Sequence, residues 1–369
     1  MTDQTPRHEL KASCCRSRRD ALREELRRAN CAGLLVLDRG QLTRLFNYRA
    51  REVFPAAGVI LTDGPAVLSF GTIGSDCAVH ADELRQYEPA FLFSLRPDPV
   101  DLALEQLMDL IPGGARLGMD GPLPLPLAGR VDPVDMRPVL ARQKRRKDPD
   151  EVALIEAAAA AGEAAFAAIE PMLVEGTREI DVFAAYQAAA ISAAGDQIGE
   201  LGNDYRGGAM GGSPRRELLK TGDLIPIDTG VMLHGYHSDL CRTYPVGGEW
   251  SATQLAAARR VAEAHDLALS MIAPGVSCRH VYQELQRFLD GYQGHTFPTH
   301  LGHGIGLLPV ETPRINPHWD DVFMEGDVFT LEPGLYSAEL RAGVRIENDY
   351  VLAGDGIRAL SDSVSNLPG

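Results

Sequence analysis

Four acids and one histidine, each set in an apolar or glycine-rich stretch, constrain this chain more than any other feature. Asp228 follows Leu224-Ile225-Pro226-Ile227, and Asp239 ends Gly235-Tyr236-His237-Ser238. His303 sits in Gly302-His303-Gly304-Ile305-Gly306, Glu332 in Leu331-Glu332-Pro333-Gly334, and Glu347 closes Gly343-Val344-Arg345-Ile346. Carboxylates in strand-like apolar settings are costly to bury unless they are paired or bind cations. Two divalent ions would cancel the four negative charges, so the set reads as a dinuclear metal site.

The surroundings fit a soluble enzyme. With 369 residues the chain is long enough for two domains with real cores. A net charge of -15 argues against nucleic acid or an anionic membrane surface as a partner. No apolar run is expected to reach the roughly 20 residues that span a bilayer. Arg16, Arg18 and Arg19 resemble the start of a signal sequence, but a charged helix follows them in place of an apolar core, so a cytoplasmic location is expected. Cys14, Cys15, Cys31, Cys77, Cys241 and Cys278 show no CxxC spacing and read as reduced thiols.

Patterning divides the chain. A helix over Arg18–Asn30 leads into the strand Gly33–Leu37. Strands Gly58–Leu61 and Ala66–Phe70 follow, joined by the turn Thr62-Asp63-Gly64-Pro65. A helix over Val100–Ile111, a strand at Leu117–Asp120 and a Pro-rich segment at Gly121–Pro126 complete an α/β domain, placed at residues 1–143. The basic run Arg142–Lys147 reads as a solvated linker. Beyond it, Asp148, Pro149 and Glu151 form a helix-start signal. The second domain, residues 144–369, is expected to be α+β. Helices Glu151–Ile169, Asp181–Ala194 and Ala252–Ile272 would cover one face of a mainly antiparallel sheet.

Asp228 and Asp239 flank a hairpin turning at Leu233-His234-Gly235, where roughly opposite residues point to one face and two carboxylates repel without a cation between them. His295 and His300 cluster near His303, and His300 is either a donor to site or substrate or a loop histidine. Arg345 and Glu347 share a face by alternation. Singly, each of these residues is ambiguous; in this order and these contexts they carry a resemblance. The chain is similar to the pita-bread metallopeptidases: Xaa-Pro aminopeptidase, prolidase, methionine aminopeptidase and the non-peptidase creatinase branch. Asp223-Leu224 to Gly230 and Tyr236 to Thr243 look like the family's double-Asp hairpin, and the other three segments look like its His and two Glu motifs.

The resemblance implies a C-terminal pita-bread fold behind a creatinase-like N-terminal α/β domain. It implies two divalent ions, manganese first, with cobalt, iron or zinc as alternatives. Asp228 would chelate one ion, His303 with Glu332 the other, and Asp239 and Glu347 would bridge. A metal-activated hydroxide would cleave a C–N bond of a small peptide, with Glu332 relaying its proton and His300 as a further catalytic group. The family also implies a homodimer. Two of its usual histidines are absent: Val310 stands seven residues after His303, and Gly211 seventeen before Asp228. Intact metal ligands with altered neighbours leave open a specialised member acting on a small amide, amidine-like or zwitterionic substrate, as hydrolase or lyase, or a binding protein retaining the fold. Asp204, Tyr205 and Arg206, with Arg345, are candidates for substrate recognition.

Overall fold

The computed structural model describes residues 8–50, 54–71, 78–88, 99–199, 202 and 204–361. The chain divides into two compact units between Lys144 and Arg145. Cys77 lies outside the described residues; Cys31, Cys241 and Cys278 are free thiols.

The N-terminal unit contains α1 (Ala12–Arg28), β1 (Gly33–Val36), α2 (Arg39–Phe46), β2 (Ala56–Leu61), β3 (Ala66–Phe70), β4 (Glu83–Gln86), α3 (Pro99–Glu105), β5 (Arg116–Met119), β6 (Asp132–Asp135) and α4 (Arg137–Arg145). Its sheet runs β4-β3-β2-β1-β5-β6. The hairpin β1–β2–β3 is antiparallel and the outer strands join in parallel. α1 starts six residues before the expected position. Arg19 on it is buried beneath backbone carbonyls of Leu45 and His80, which accept from its guanidinium at 2.6 and 2.7 Å.

The C-terminal unit opens with two helices, α5 (Pro149–Ile169) and α6 (Glu179–Ala194), followed by β7 (Leu224–Thr229), β8 (Met232–Leu233), β9 (Tyr236–His237) and β10 (Leu240–Pro245). A second helix pair, α7 (Ala252–Met271) and α8 (Cys278–Leu289), precedes β11 (Gly302–Gly304), β12 (Glu311–Ile315), β13 (Val328–Leu331), β14 (Gly334–Ser337), β15 (Ala342–Arg345), β16 (Asn348–Ala353) and β17 (Gly356–Ala359). All its strand pairings are antiparallel, as expected for α+β layering. Each helix pair buries an apolar stripe on strands. Ala158, Phe166 and Tyr186 pack with Ile227 and Leu240 in one core. Val261, Ala264 and Leu285 pack with Phe329, Leu331 and Val344 in the other.

Two expectations are corrected. The helix Pro149–Met172 is long and apolar enough, by length and composition, to cross a membrane, against the expectation of no such run. Small residues make it so, and 56% of its apolar window is buried in the core. The basic run is not solvated throughout: Arg142 and Arg146 are exposed, but Arg145 and Lys147 are not. Arg145 lies 2.7 Å from Asp327 and 3.1 Å from Asp321, and the Lys147 ammonium is buried 2.9 Å from Glu311. Their partners are distant in sequence, so charge pattern alone did not reveal them. α8 is a helix beyond those expected from the sequence, although Val281, Leu285 and Leu289 carry the i, i+4, i+8 spacing of its buried face.

Candidate active site

Strand register assembles the site. Asp228 on β7 lies opposite Cys241 on β10, and Cys241 in turn pairs with Glu347, exchanging backbone hydrogen bonds of 3.3 and 3.0 Å. On the other flank Asp204 pairs with Asp228, again through two backbone bonds, 3.1 and 3.0 Å long. Directly opposed residues share a face, so Asp204, Asp228, Cys241 and Glu347 form one row. β13 pairs Leu331 with Asn348, and one further step along that register sets Glu332 opposite Glu347. Asp239 lies two residues before Cys241 and therefore returns to the same face as a diagonal neighbour of Asp228. The two aspartates are thus diagonal across the hairpin, not directly opposite.

His303 reaches this face from β11. Its backbone N–H donates to Thr330 Oγ1 at 3.3 Å, and Thr330 pairs with Asp349 on β16. Gly302 permits the approach: a Cβ there would lie 2.0 Å from the Thr330 carbonyl oxygen. The His303 Nδ1 lies 3.1 Å from the Gly304 carbonyl. With the proton on Nδ1, Nε2 keeps a lone pair for a metal. That Nε2 faces Asp239 Oδ2 and Glu332 Oε1, each 3.7 Å away.

Asp239, His303 and Glu347 offer ligand atoms within 4.8 Å of one another, as do Asp228, Glu332 and Glu347. Glu347 belongs to both trios, as a bridging carboxylate would; Asp239 belongs to one. Burial raises the Asp228 carboxyl to about 6 even with Arg345 beside it, and it holds Asp239 and Glu347 well above the ordinary carboxylate range. Burial lowers the His303 pKa. Glu347 Oε1 is buried without a hydrogen-bond partner. Crowded, desolvated carboxylates, a neutral imidazole and an orphaned oxygen all fit divalent cations.

His300 lies beside the cluster. Its Nδ1 is 3.0 Å from Glu332 Oε1 while the side chain remains 48% exposed. The bond to Glu332, against the opposing effect of burial, raises its pKa. Arg345 is buried and joins the acids, its Nη2 lying 2.7 Å from Asp228 and 2.9 Å from Asp204. It is no surface partner of Glu347.

Tyr205 corrects an expectation. It is fully buried, edge-on to Phe183 and Tyr186, and offers no surface to a substrate. Alternation explains this, since Asp204 takes the site face and its neighbour must take the core face. Arg206 closes its own loop by donating to the Ser213 carbonyl at 3.0 Å. Val310 is 41% exposed.

Sequence reasoning missed the layer behind the candidate ligands. Asp349 is buried and accepts from the Asp239 backbone N–H at 3.1 Å. Arg242 donates to the Glu347 carbonyl at 2.6 Å and pairs with Glu163 of α5. These contacts fix the backbones of Asp239 and Glu347. The one available hint was Arg242 in the strand after Asp239, where a charged residue in an apolar run needs a buried partner.

Fold and site together define a metal-dependent hydrolase of the pita-bread class. More narrowly, the chain belongs to metallopeptidase family M24, whose model matches residues 153–353. It is 27% identical over 352 residues to the Xaa-Pro dipeptidase of Pyrococcus furiosus, covering 90% of this chain and 97% of that one. It is 32% identical over 228 residues to the Xaa-Pro dipeptidase of Pyrococcus horikoshii, covering 60% and 64%. Among solved structures, the prolidase from Pyrococcus horikoshii OT3 superposes with a TM-score of 0.77 at 20% identity, over 95% of this chain and 100% of that one.

Proposed function

We propose that this metallopeptidase cleaves the peptide bond before proline in short peptides, as a dipeptidase of the Xaa-Pro type. The observation that carries the proposal is the shared face on which Asp228, Asp239, His303, Glu332 and Glu347 converge. The Xaa-Pro specificity is supported by relatives of that name that align along most of the chain. Those five residues are proposed to hold two divalent ions. An oxygen-rich set with one imidazole suits manganese, with cobalt, iron and zinc as alternatives. Ions held there supply Lewis-acid polarisation of the scissile carbonyl and lower the pKa of a water. Glu332, at the inner end of β13, takes and returns the proton in this reading. His300, in contact with Glu332 and half exposed, connects it to solvent. Arg345 sets the charge at the Asp228 end. A homodimer is proposed from the family resemblance, and a cytoplasmic location is proposed from the sequence alone.

The test is hydrolysis of Xaa-Pro and Xaa-Ala dipeptides by the Mn²⁺-loaded protein, alongside Glu332→Gln. Turnover confined to the Xaa-Pro series, falling by roughly 10²-fold or more in the variant, is expected. A protein that binds two ions and turns over neither series would refute the dipeptidase reading. It would point instead to a small amide or amidine-like substrate, the reading that Gly211 and Val310 leave open.

A further inference from the structure

The row of acids does not end at the proposed ligands. Asp204 stands directly opposite Asp228, and like charges facing each other across a strand pair are destabilising unless something lies between them. Here the Arg345 guanidinium does: its Nη2 is 2.9 Å from Asp204 Oδ2 and 2.7 Å from Asp228 Oδ2. The guanidinium's other contacts are to neutral groups, 3.5 Å from Nε to Cys241 Sγ and 3.4 Å from Nη1 to Tyr336 Oη. Asp204 is itself anchored, its Oδ1 accepting from the Gly212 N–H at 2.6 Å. Glycine at 211 leaves it room, since a Cβ there would lie 2.2 Å from Asp204 Oδ2 and 2.7 Å from its Cγ and would displace the carboxylate.

We infer that Asp204 is a positioning residue that shares the Arg345 guanidinium with Asp228, so that Asp228 can take a metal ion without leaving that guanidinium unpaired, and that a glycine at 211 makes room for Asp204. A guanidinium bound to Asp228 alone competes with a cation for the same oxygen. Anchored on Asp204, it keeps a charge-assisted partner when Asp228 turns to the ion. The inference rests on the proposed metal-holding role of Asp228.

Calorimetric Mn²⁺ titration of the full chain tests it, with the melting temperature of the metal-free protein as a second readout. Asp204→Asn keeps the shape and an acceptor for the Gly212 N–H but loses the charge. It is expected to weaken one of the two binding steps by about tenfold or more, the range seen when a partner of a metal ligand is removed, and to leave the other unchanged. Gly211→Ala displaces the carboxylate and should weaken the same step. In an Asp204→Ala background, where the clash is gone, Gly211→Ala should cost nothing further. Wild-type binding by Asp204→Asn would overturn the inference. So would equal weakening of both steps with a lowered melting temperature, or an undiminished effect of Gly211→Ala in the Asp204→Ala background. A wild-type chain that binds no Mn²⁺ would overturn the metal-site reading itself.

Discussion

Removing the metal ions should make the stability of this protein fall as pH rises, the reverse of the usual carboxylate behaviour. Burial raises Asp228 from 3.8 to about 6, and Asp239 and Glu347 are raised by burial first and neighbouring carboxylates second. A group that binds its proton more tightly folded than unfolded stabilises the fold while protonated. That contribution is fully present below about pH 4 and is lost as pH passes through about 6. Asp228 alone, shifted by about two units, accounts for about 3 kcal/mol. For a unit of this size that is about 6–12 °C in melting temperature. Metal ions reverse the effect, because their ligands must be ionised. The assay is thermal unfolding from pH 4.5 to 8, in Mn²⁺ and in chelator. The gap between the two curves should widen with pH and widen less in Asp228→Asn. Groups remote from the site, such as Asp120, raised to about 6 by burial, are common to both samples and cancel in the difference. A gap that is constant or narrows from pH 5 to 7.5 would refute the reasoning.

Three further outcomes are expected. Asp239→Ala should lose bound metal and activity together, as measured by metal content after gel filtration; full activity would show that the site is wrongly assigned. His265 is buried, its Nε2 is 2.7 Å from the Ile346 carbonyl, and desolvation lowers its pKa to about 4. Its neutral form therefore stabilises the fold above about pH 6.5, and that contribution is lost as pH falls through 4. His265→Gln should flatten the acid limb of the stability curve by about 3 kcal/mol, and an unchanged limb in denaturant titrations would contradict this. Lys147→Met strips a buried carboxylate of its ammonium partner and should cost about 3–5 kcal/mol; a loss under about 1 kcal/mol by urea unfolding would place the pair outside the stability argument.

Much of the candidate metal face was legible because Asp228 and Glu332 end apolar runs, where a charge is costly without a reason. Period-two alternation also told that Arg345 and Glu347 share a face. It did not tell that Arg345 points at Asp228 and Asp204, because strand partners are chosen by the tertiary fold. The same limit explains Tyr205, whose polar neighbours suggested a loop facing substrate. The backbone bridge from Asp204 to Asp228 puts the tyrosine on the opposite, core-facing side. Lys147 and Arg145 looked like solvent-facing charges for a related reason: Glu311, Asp321 and Asp327 come from far along the chain.

By itself the sequence determined which residues could form a cation site, because a cluster of carboxylates and an imidazole in apolar strands has few other uses. It also determined the α+β class, through periodicity and helix-start signals. Only the tertiary structure decided how the site is wired. Register set Asp204, Asp228, Cys241 and Glu347 in one row, the Nδ1 contact with the Gly304 carbonyl left His303 Nε2 facing the acids, and the gap at Gly211 admitted the Asp204 carboxylate. Those choices depend on which strand lies beside which, and on a single missing Cβ. Neither leaves a mark in local composition.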